Sequence, residues 1–127
     1  MRSKSSTLTS PELEIMKIVW ERGSATVRDV YETLLARRKV AYTTVMTVMK
    51  ILEGKGYLRK KAADRAYVYY AARPKSQVIK GMVQDFVNRV FDGSAEPLLV
   101  QLVKDEHLSP KDVEKIAGLA RTVQEKP

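Results

Sequence analysis

The sequence contains no cysteine and only one histidine, His107, in 127 residues. The chain can therefore form no disulfide and offers no thiolate to a metal, and one histidine cannot complete a zinc site. It also lacks a glycine-rich phosphate loop, because Glu53-Gly54-Lys55-Gly56 ends a predicted helix instead of opening one. We expect no enzyme active site, no metal, no cofactor and no small-molecule substrate.

Long apolar runs are also missing. Residues 1–7 carry two positive charges that no apolar run follows, so we expect neither a secretory signal nor a membrane span. With 44% hydrophobic and 30% charged residues, the composition is typical of a globular protein. These features together favour a cytoplasmic location and no association with the membrane.

The positive charge is concentrated in one part of the chain. Residues 1–73 hold 15 basic and 7 acidic side chains, whereas residues 74–127 hold eight of each. The net charge of +8 therefore belongs to the first part. A basic domain joined to a neutral one indicates a module that binds a polyanion and a separate interaction module.

Helix-capping residues, apolar periodicity and a run rich in aromatic residues predict three helices followed by a β-hairpin. The first helix begins at Thr9 or Ser10 and ends at Gly23, and the second begins at Thr26 and ends with Arg37-Arg38-Lys39. The third covers residues 43–55. The hairpin has a strand over 57–60, a turn over 63–65 and a strand over 66–70. Ser24-Ala25 is predicted as a short connector. This order is that of a winged helix-turn-helix domain, predicted over residues 7–73.

Pro74 marks the predicted start of a second domain, residues 74–127, with three further helices. The helices cover about 75–91 and 95–104, and Ser109-Pro110 opens the last one. So short a segment is too small to form a sound core alone, so we predict a homodimer; the alternative is packing against the first domain. The candidate dimerisation residues are Ile79, Val83, Phe86, Val90, Leu98, Leu99, Leu102, Val103 and Ile116.

The third helix has an unusual outer face. On a helical wheel, Val45, Val48, Met49 and Leu52 form one apolar stripe, while short polar side chains and one lysine lie opposite. A solvated helix face would normally carry Glu, Lys and Gln, whereas threonine and methionine suit contacts with base edges in a major groove. The candidate base-contacting residues are Thr43, Thr44, Met46, Thr47 and Lys50.

Basic and polar residues around this helix are suited to phosphate contacts. They include the start of the second helix and the predicted wing, both of which can approach the DNA backbone. The candidate phosphate-contacting residues are Thr26, Arg28, Tyr42, Arg59, Lys60, Lys61 and Arg65.

Several motifs cover almost the whole chain, from about Leu8 to Val123. They include Ala41-Tyr42-Thr43-Thr44-Val45-Met46-Thr47-Val48, Leu52-Glu53-Gly54-Lys55-Gly56-Tyr57-Leu58, Arg65-Ala66-Tyr67-Val68-Tyr69-Tyr70 and Val90-Phe91-Asp92-Gly93-Ser94. In these motifs the chain resembles the penicillinase and methicillin-resistance repressors and their copper-responsive relatives. The resemblance implies a homodimer with interlocked C-terminal helices, an inverted-repeat operator with TACA/TGTA-like half-sites, and base contacts by Thr44 and Thr47.

The same resemblance implies two styles of induction. The copper-responsive relatives carry a cysteine motif, which this sequence lacks. The antibiotic-responsive relatives are cleaved by a membrane-bound sensor metalloprotease, and by alignment their Asn-Phe scissile bond falls on Gln101-Leu102. This pair differs from that of the relatives, but it lies inside an apolar helix at a predicted dimer contact, so Gln101 and Leu102 are the candidate cleavage site.

The sequence thus predicts a mainly α protein with a small β-hairpin, formed by a winged helix-turn-helix domain and a C-terminal helical dimerisation domain. Its predicted function is sequence-specific transcriptional repression through a double-stranded DNA operator. The alternative is a winged-helix module that contacts other proteins without specific DNA binding. The charge asymmetry favours the first interpretation.

Overall fold

The computed structural model describes residues 8–105 and 108–124, so His107 lies outside the described residues. Its elements are α1 (Ser10–Arg22), α2 (Val27–Leu35), α3 (Tyr42–Gly54), β1 (Leu58–Ala63), β2 (Ala66–Ala71), α4 (Lys75–Phe91), α5 (Glu96–Asp105) and α6 (Pro110–Gln124). The predicted fold class, mainly α with one antiparallel hairpin, is confirmed. In the part of the chain that is described, no helix is long and apolar enough to cross a membrane.

Reciprocal capping fixes where the first two helices begin. The Glu12 N–H donates to Thr9 Oγ1 over 3.3 Å, and the Thr9 N–H donates to Glu12 Oε1 over 2.9 Å. Thr26 and Asp29 make the same pair of bonds at the start of α2. Each pair satisfies two amides that a helix start otherwise leaves without partners. Of the two predicted caps of α1, the structure therefore selects Thr9.

The end of α2 differs from the prediction. The helix stops at Leu35, so the predicted basic ending lies beyond it. Arg38 Nη2 instead lies 2.6 Å from Glu14 Oε1 of α1, and Arg37 Nη1 lies 4.0 Å from Glu14 Oε2. A carboxylate on a neighbouring helix thus attracts these two cations, an interaction that the α2 sequence alone does not reveal.

The hairpin is longer than predicted, and it has a third participant. Its strands pair from Leu58↔Ala71 to Ala63↔Ala66, so Ala63 belongs to β1 and not to the turn. Asp64 occupies the tight turn with a φ of 55°, a conformation that Asp tolerates better than most residues. Ala25, predicted only as a connector, exchanges two backbone hydrogen bonds of 2.8 and 2.9 Å with Tyr69. The segment before α2 therefore anchors the hairpin to the helices.

Contacts within the chain define two compact units, Met1–Val83 and Gln84–Pro127. In the first unit, α1, α2, α3 and the hairpin surround one core, to which Val78 of α4 also contributes. The largest fully buried side chains of this core are Tyr57, Met16, Leu34, Met49, Leu52, Leu58, Val19, Val30 and Val45. The functional boundary at Pro74 remains a prediction.

The second unit leaves much apolar surface open to solvent. Its exposed apolar side chains include five predicted dimerisation residues in α4 and α5 and one in α6: Phe86, Val90, Leu99, Leu102, Val103 and Ile116. Val83, in the first unit, is also exposed, whereas Ile79 and Leu98 are half-buried. Between α5 and α6 lies an apolar cavity of about 180 Å³ lined by Leu99, Val103, Leu108, Val113, Ile116 and Ala117.

A buried ion pair connects the first helix to the third. Glu12 is only 5% exposed, and both of its carboxylate oxygens lie 2.9 Å from Lys55 Nζ at the end of α3. Burial alone would raise the pKa of Glu12, but the hydrogen bonds from Lys55 and from the Thr9 amide outweigh this effect and lower the pKa below its ordinary value of 4.5. The carboxylate thus remains charged in the folded protein at neutral pH.

Replacing Lys55 with Met should destabilise the protein, because it leaves the Glu12 carboxylate buried without its cation. We expect a loss of about 2–4 kcal/mol in the free energy of unfolding, measured by urea titration at fixed protein concentration. Arg38→Met, which breaks the more exposed pair with Glu14, should cost less than about 1 kcal/mol. Because folding lowers the Glu12 pKa, the difference between wild type and Lys55→Met should shrink as the pH falls below 4.5. Equal losses for the two variants would contradict this account.

Candidate nucleic-acid interface

A cleft of about 580 Å³ opens between α3 and the hairpin. Its walls come from the start of α2, from one face of α3 and from the end of the hairpin. They are formed by Thr26, Val27, Arg28, Tyr42, Met46, Lys50, Lys60, Arg65, Ala66, Tyr67 and Tyr69. Four of these side chains are cationic, and the described lining contains no carboxylate. Residues from distant parts of the sequence thus form one positively charged concave surface.

The two faces of α3 divide as the helical wheel predicts. Val45, Met49 and Leu52 are buried in the core, whereas the opposite face is open to solvent. The exposed residues of this face are Thr43, Thr44, Thr47 and Lys50, and Met46 is half-buried in the cleft. The predicted base-contacting set is therefore presented on one accessible surface of the first unit.

The start of α3 is capped differently from those of α1 and α2. Ala41 occupies the N-cap and its side chain makes no capping hydrogen bond. No acidic residue lies in the first turn of α3, whereas α1 and α2 each carry one there. The first amides of α3 therefore have no side-chain acceptor of their own, which makes this end of the helix suitable for an anion.

Aromatic packing holds Tyr42 at the mouth of the cleft. Its ring meets Tyr31 edge-to-face with 5.4 Å between centroids, and Arg28 Cζ lies 5.7 Å from the Tyr42 centroid. Arg28 Nη1 also lies 3.7 Å from Glu32 Oε2, in a pair whose side chains are more than 60% exposed. Two predicted phosphate-contacting residues, Arg28 and Tyr42, are therefore neighbours across the α2–α3 contact.

The hairpin separates the four predicted basic residues of the wing. Lys60 lies opposite Tyr69 in the hairpin register. Its two neighbours, Arg59 and Lys61, point to the other face of the hairpin, because side chains alternate along a strand. Lys60 and Arg65 line the cleft, but Arg59 and Lys61 do not. The sequence prediction grouped all four as wing residues, although alternation along the predicted strand over 57–60 already puts Arg59 and Lys60 on opposite faces.

Two cleft tyrosines were not predicted as site residues. Tyr67 and Tyr69 both line the cleft, and Tyr69 is almost fully buried. Burial raises the pKa of the Tyr69 hydroxyl, and the nearby charge of Lys60 partly opposes this effect. The alternation of aromatic residues in β2 already placed Tyr67 and Tyr69 on the same face and was the signal that could have identified them. Among the described residues, no group of His, Asp or Glu could hold a metal ion.

A family model described as "Penicillinase repressor" matches residues 8–122. The chain belongs to the penicillinase repressor family. It is 36% identical over 104 residues to "Transcriptional regulator BlaI" of Mycobacterium tuberculosis, covering 80% of this chain and 75% of the relative. It is 25% identical over 119 residues to "Methicillin resistance regulatory protein MecI" of Mammaliicoccus sciuri, covering 94% and 97%. The resemblance drawn from the sequence motifs is confirmed.

Solved structures agree with this membership. The DNA-binding domain of the repressor BlaI superposes with a TM-score of 0.52 at 26% identity, covering 60% of this chain and 92% of that domain. The structure of hsRosR has a TM-score of 0.55 at 18% identity, covering 97% of this chain and 100% of that one, and indicates likeness of fold alone. The first unit is thus similar to a winged-helix DNA-binding domain.

Proposed function

We propose that this protein is a cytoplasmic DNA-binding transcriptional repressor that binds an inverted-repeat operator as a homodimer. The observation that carries the proposal is the exposed threonine-rich face of α3 beside a cationic cleft without carboxylates in its described lining. Membership of the penicillinase repressor family, and likeness to the DNA-binding domain of BlaI, support it independently. None of these three observations favours a module that contacts only other proteins.

In the proposed complex, α3 lies in the major groove. Thr43, Thr44 and Thr47 offer hydroxyls to base edges and methyl groups to thymine, while Met46 and Lys50 contact the bases nearest the cleft. Phosphates on either side are contacted by residues of the cleft rim, which fixes the register of α3 without direct contact to a base. These phosphate-contacting residues are Thr26, Arg28, Tyr42, Lys60 and Arg65.

Arg59 and Lys61 are assigned a more distant role. Because they lie on the hairpin face away from the cleft, they would meet only the backbone that flanks the half-site. Their contribution is a general attraction to DNA that salt screens easily.

The apolar surface of the second unit supports the proposed homodimer. Apolar side chains on α4, α5 and α6 are exposed, and three of them, Leu99, Val103 and Ile116, line the apolar cavity between α5 and α6. A second copy would remove this surface from water. Two linked winged-helix domains would match the two-fold symmetry of an inverted repeat.

A sensor protease is proposed as the inducing partner, with cleavage at Gln101-Leu102. This peptide bond lies inside α5, where the Gln101 side chain bonds Asp105 and Leu102 is exposed. Cutting there would remove α6 from the chain that carries the DNA-binding domain. The apolar surface that α5 and α6 share would be divided, and the loss of dimerisation would weaken operator binding.

A fluorescence-anisotropy titration tests the proposed function. The probes are a TACA/TGTA inverted-repeat duplex and a scrambled duplex of the same composition, each at several salt concentrations. We expect tighter binding to the repeat, two chains bound per duplex, and affinity that falls steeply as salt rises. Failure to bind either duplex would contradict the proposal.

Thr47→Ala and Arg65→Ala separate the two kinds of contact. Thr47→Ala should weaken binding to the repeat by about 1–3 kcal/mol and leave the scrambled duplex nearly unaffected, because threonine contacts base edges. Arg65→Ala should weaken both duplexes and reduce the salt slope by about one, because it contacts phosphate. An equal loss on both duplexes for Thr47→Ala would exclude it as a base-contacting residue.

Leu99→Glu tests the apolar surface of the second unit. A charge at this position should prevent a second copy from covering the surface, so sedimentation should detect monomers. Affinity for the inverted repeat should then fall by roughly 10²–10⁴, since one half-site is bound without the other. Gln101→Glu, which places the same charge at a polar position of α5, should keep the wild-type mass and affinity. A Leu99→Glu dimer with unchanged affinity would remove this surface from the proposed interface.

A further inference from the structure

A single acidic residue of α3 stands beside the cationic cleft. Glu53 lies at the penultimate position of α3 and is half-buried, and its Oε1 is 3.6 Å from Lys60 Nζ on β1. All other α3 residues that face the cleft or solvent on this side are uncharged or basic. An acid at this place opposes the attraction of the cleft for a polyanion, so its position calls for a physical explanation.

Lys60 is held from two sides in the free protein. Besides the Glu53 carboxylate, its ammonium lies over the Tyr67 ring, 4.5 Å from the centroid. Both Lys60 and Glu53 keep about a third of their side-chain surface exposed, at 32% each. The pair is therefore neither buried nor fully solvated, and the ammonium remains within reach of a ligand in the cleft.

Both charges act on the hydroxyl of Tyr69, which lines the cleft. Burial raises the pKa of its hydroxyl, the charge of Lys60 lowers it, and the charge of Glu53 raises it again. Glu53 and Lys60 thus have opposite effects at this one cleft residue.

We propose that Glu53 competes with DNA phosphate for Lys60 and thereby increases the preference of the protein for its operator over unrelated DNA. This inference rests on the proposed DNA-binding function. It assigns to Glu53 a positioning role, because Glu53 acts on the DNA through Lys60 and not by contact with a base.

The competition depends on how closely a phosphate approaches. A charge-assisted hydrogen bond to phosphate, at about 2.7–2.9 Å, is stronger than an ion pair whose atoms are 3.6 Å apart. In the operator complex, matched base contacts keep α3 seated in the major groove, so a phosphate is held close enough for Lys60 to exchange Glu53 for it. In a loose complex with unrelated DNA, phosphates stay farther away and Glu53 retains the lysine. Lys60 then contributes to operator binding and little to non-specific binding.

A double-mutant cycle on Glu53→Gln and Lys60→Gln tests the proposal by anisotropy with the scrambled duplex and the inverted repeat. Glu53→Gln should tighten binding to the scrambled duplex by about three- to tenfold and steepen its salt slope by about 0.9, the value for one phosphate. Adding Lys60→Gln should abolish this gain. In the wild-type background, Lys60→Gln alone should weaken binding to the repeat and leave the scrambled duplex almost unchanged.

Glu21→Gln is the matched control for net charge. Glu21 lies on α1, outside the described lining of the α3–hairpin cleft, and loses the same charge when changed to glutamine. It should leave both affinities and the salt slope near their wild-type values. Circular dichroism and thermal melting of all variants should match wild type, since the Glu53–Lys60 pair is partly exposed.

Two outcomes would overturn the inference without touching the proposed function. One is an unchanged scrambled-duplex affinity for Glu53→Gln, or a gain no larger than that of Glu21→Gln. The other is an equal loss on both duplexes when Lys60→Gln is introduced alone, which would make Lys60 an ordinary phosphate-contacting residue. Absence of DNA binding by the wild-type protein would instead contradict the proposed function itself.

Discussion

The arrangement of the DNA-binding unit depends on the ion pair between Glu12 and Lys55. Glu12 caps the start of α1, and its two carboxylate oxygens bind the lysine that follows the last residue of α3. A buried carboxylate without a cation would be strongly destabilising, so the folded state requires these two helix ends to meet. Capping, helix packing and the placement of α3 are in this way coupled through one side chain.

The position of α3 then determines where the hairpin lies. The Tyr57 N–H donates to the Leu52 carbonyl over 3.0 Å, and Gly56, with a φ of 87°, reverses the chain directly after Lys55. The hairpin therefore starts from the anchored end of α3, and the bonds between Ala25 and Tyr69 attach it to the segment before α2. Because the inner face of α3 is buried in the core, its threonines and Lys50 face solvent beside the cleft.

Much of this could be predicted from the sequence because the signals are local. Helix caps with acceptors three residues apart, the apolar stripe of α3 and the aromatic-rich run of β2 depend only on near neighbours in the chain, and the structure has all three elements. Long-range electrostatics were not predictable in this way. Arg37 and Arg38, just beyond the end of α2, pair with Glu14 of α1, which is more than twenty positions away in the chain. Lys61 lies beyond the end of the predicted strand, so placing it on the face opposite Lys60 required the observed strand length.

The charges of the first unit serve two opposite purposes, and burial separates them. At Glu12 the carboxylate is removed from solvent and both of its oxygens lie 2.9 Å from Lys55 Nζ, so the pair contributes to the fold. At Glu53 the same combination of glutamate and lysine is partly exposed, at a longer distance and beside the cleft, so its cation can change partners. A pair of this second kind contributes little to stability. Its position is better explained by recognition, because it adjusts the attraction of Lys60 for phosphate beside a cleft whose described charged lining residues are all cationic.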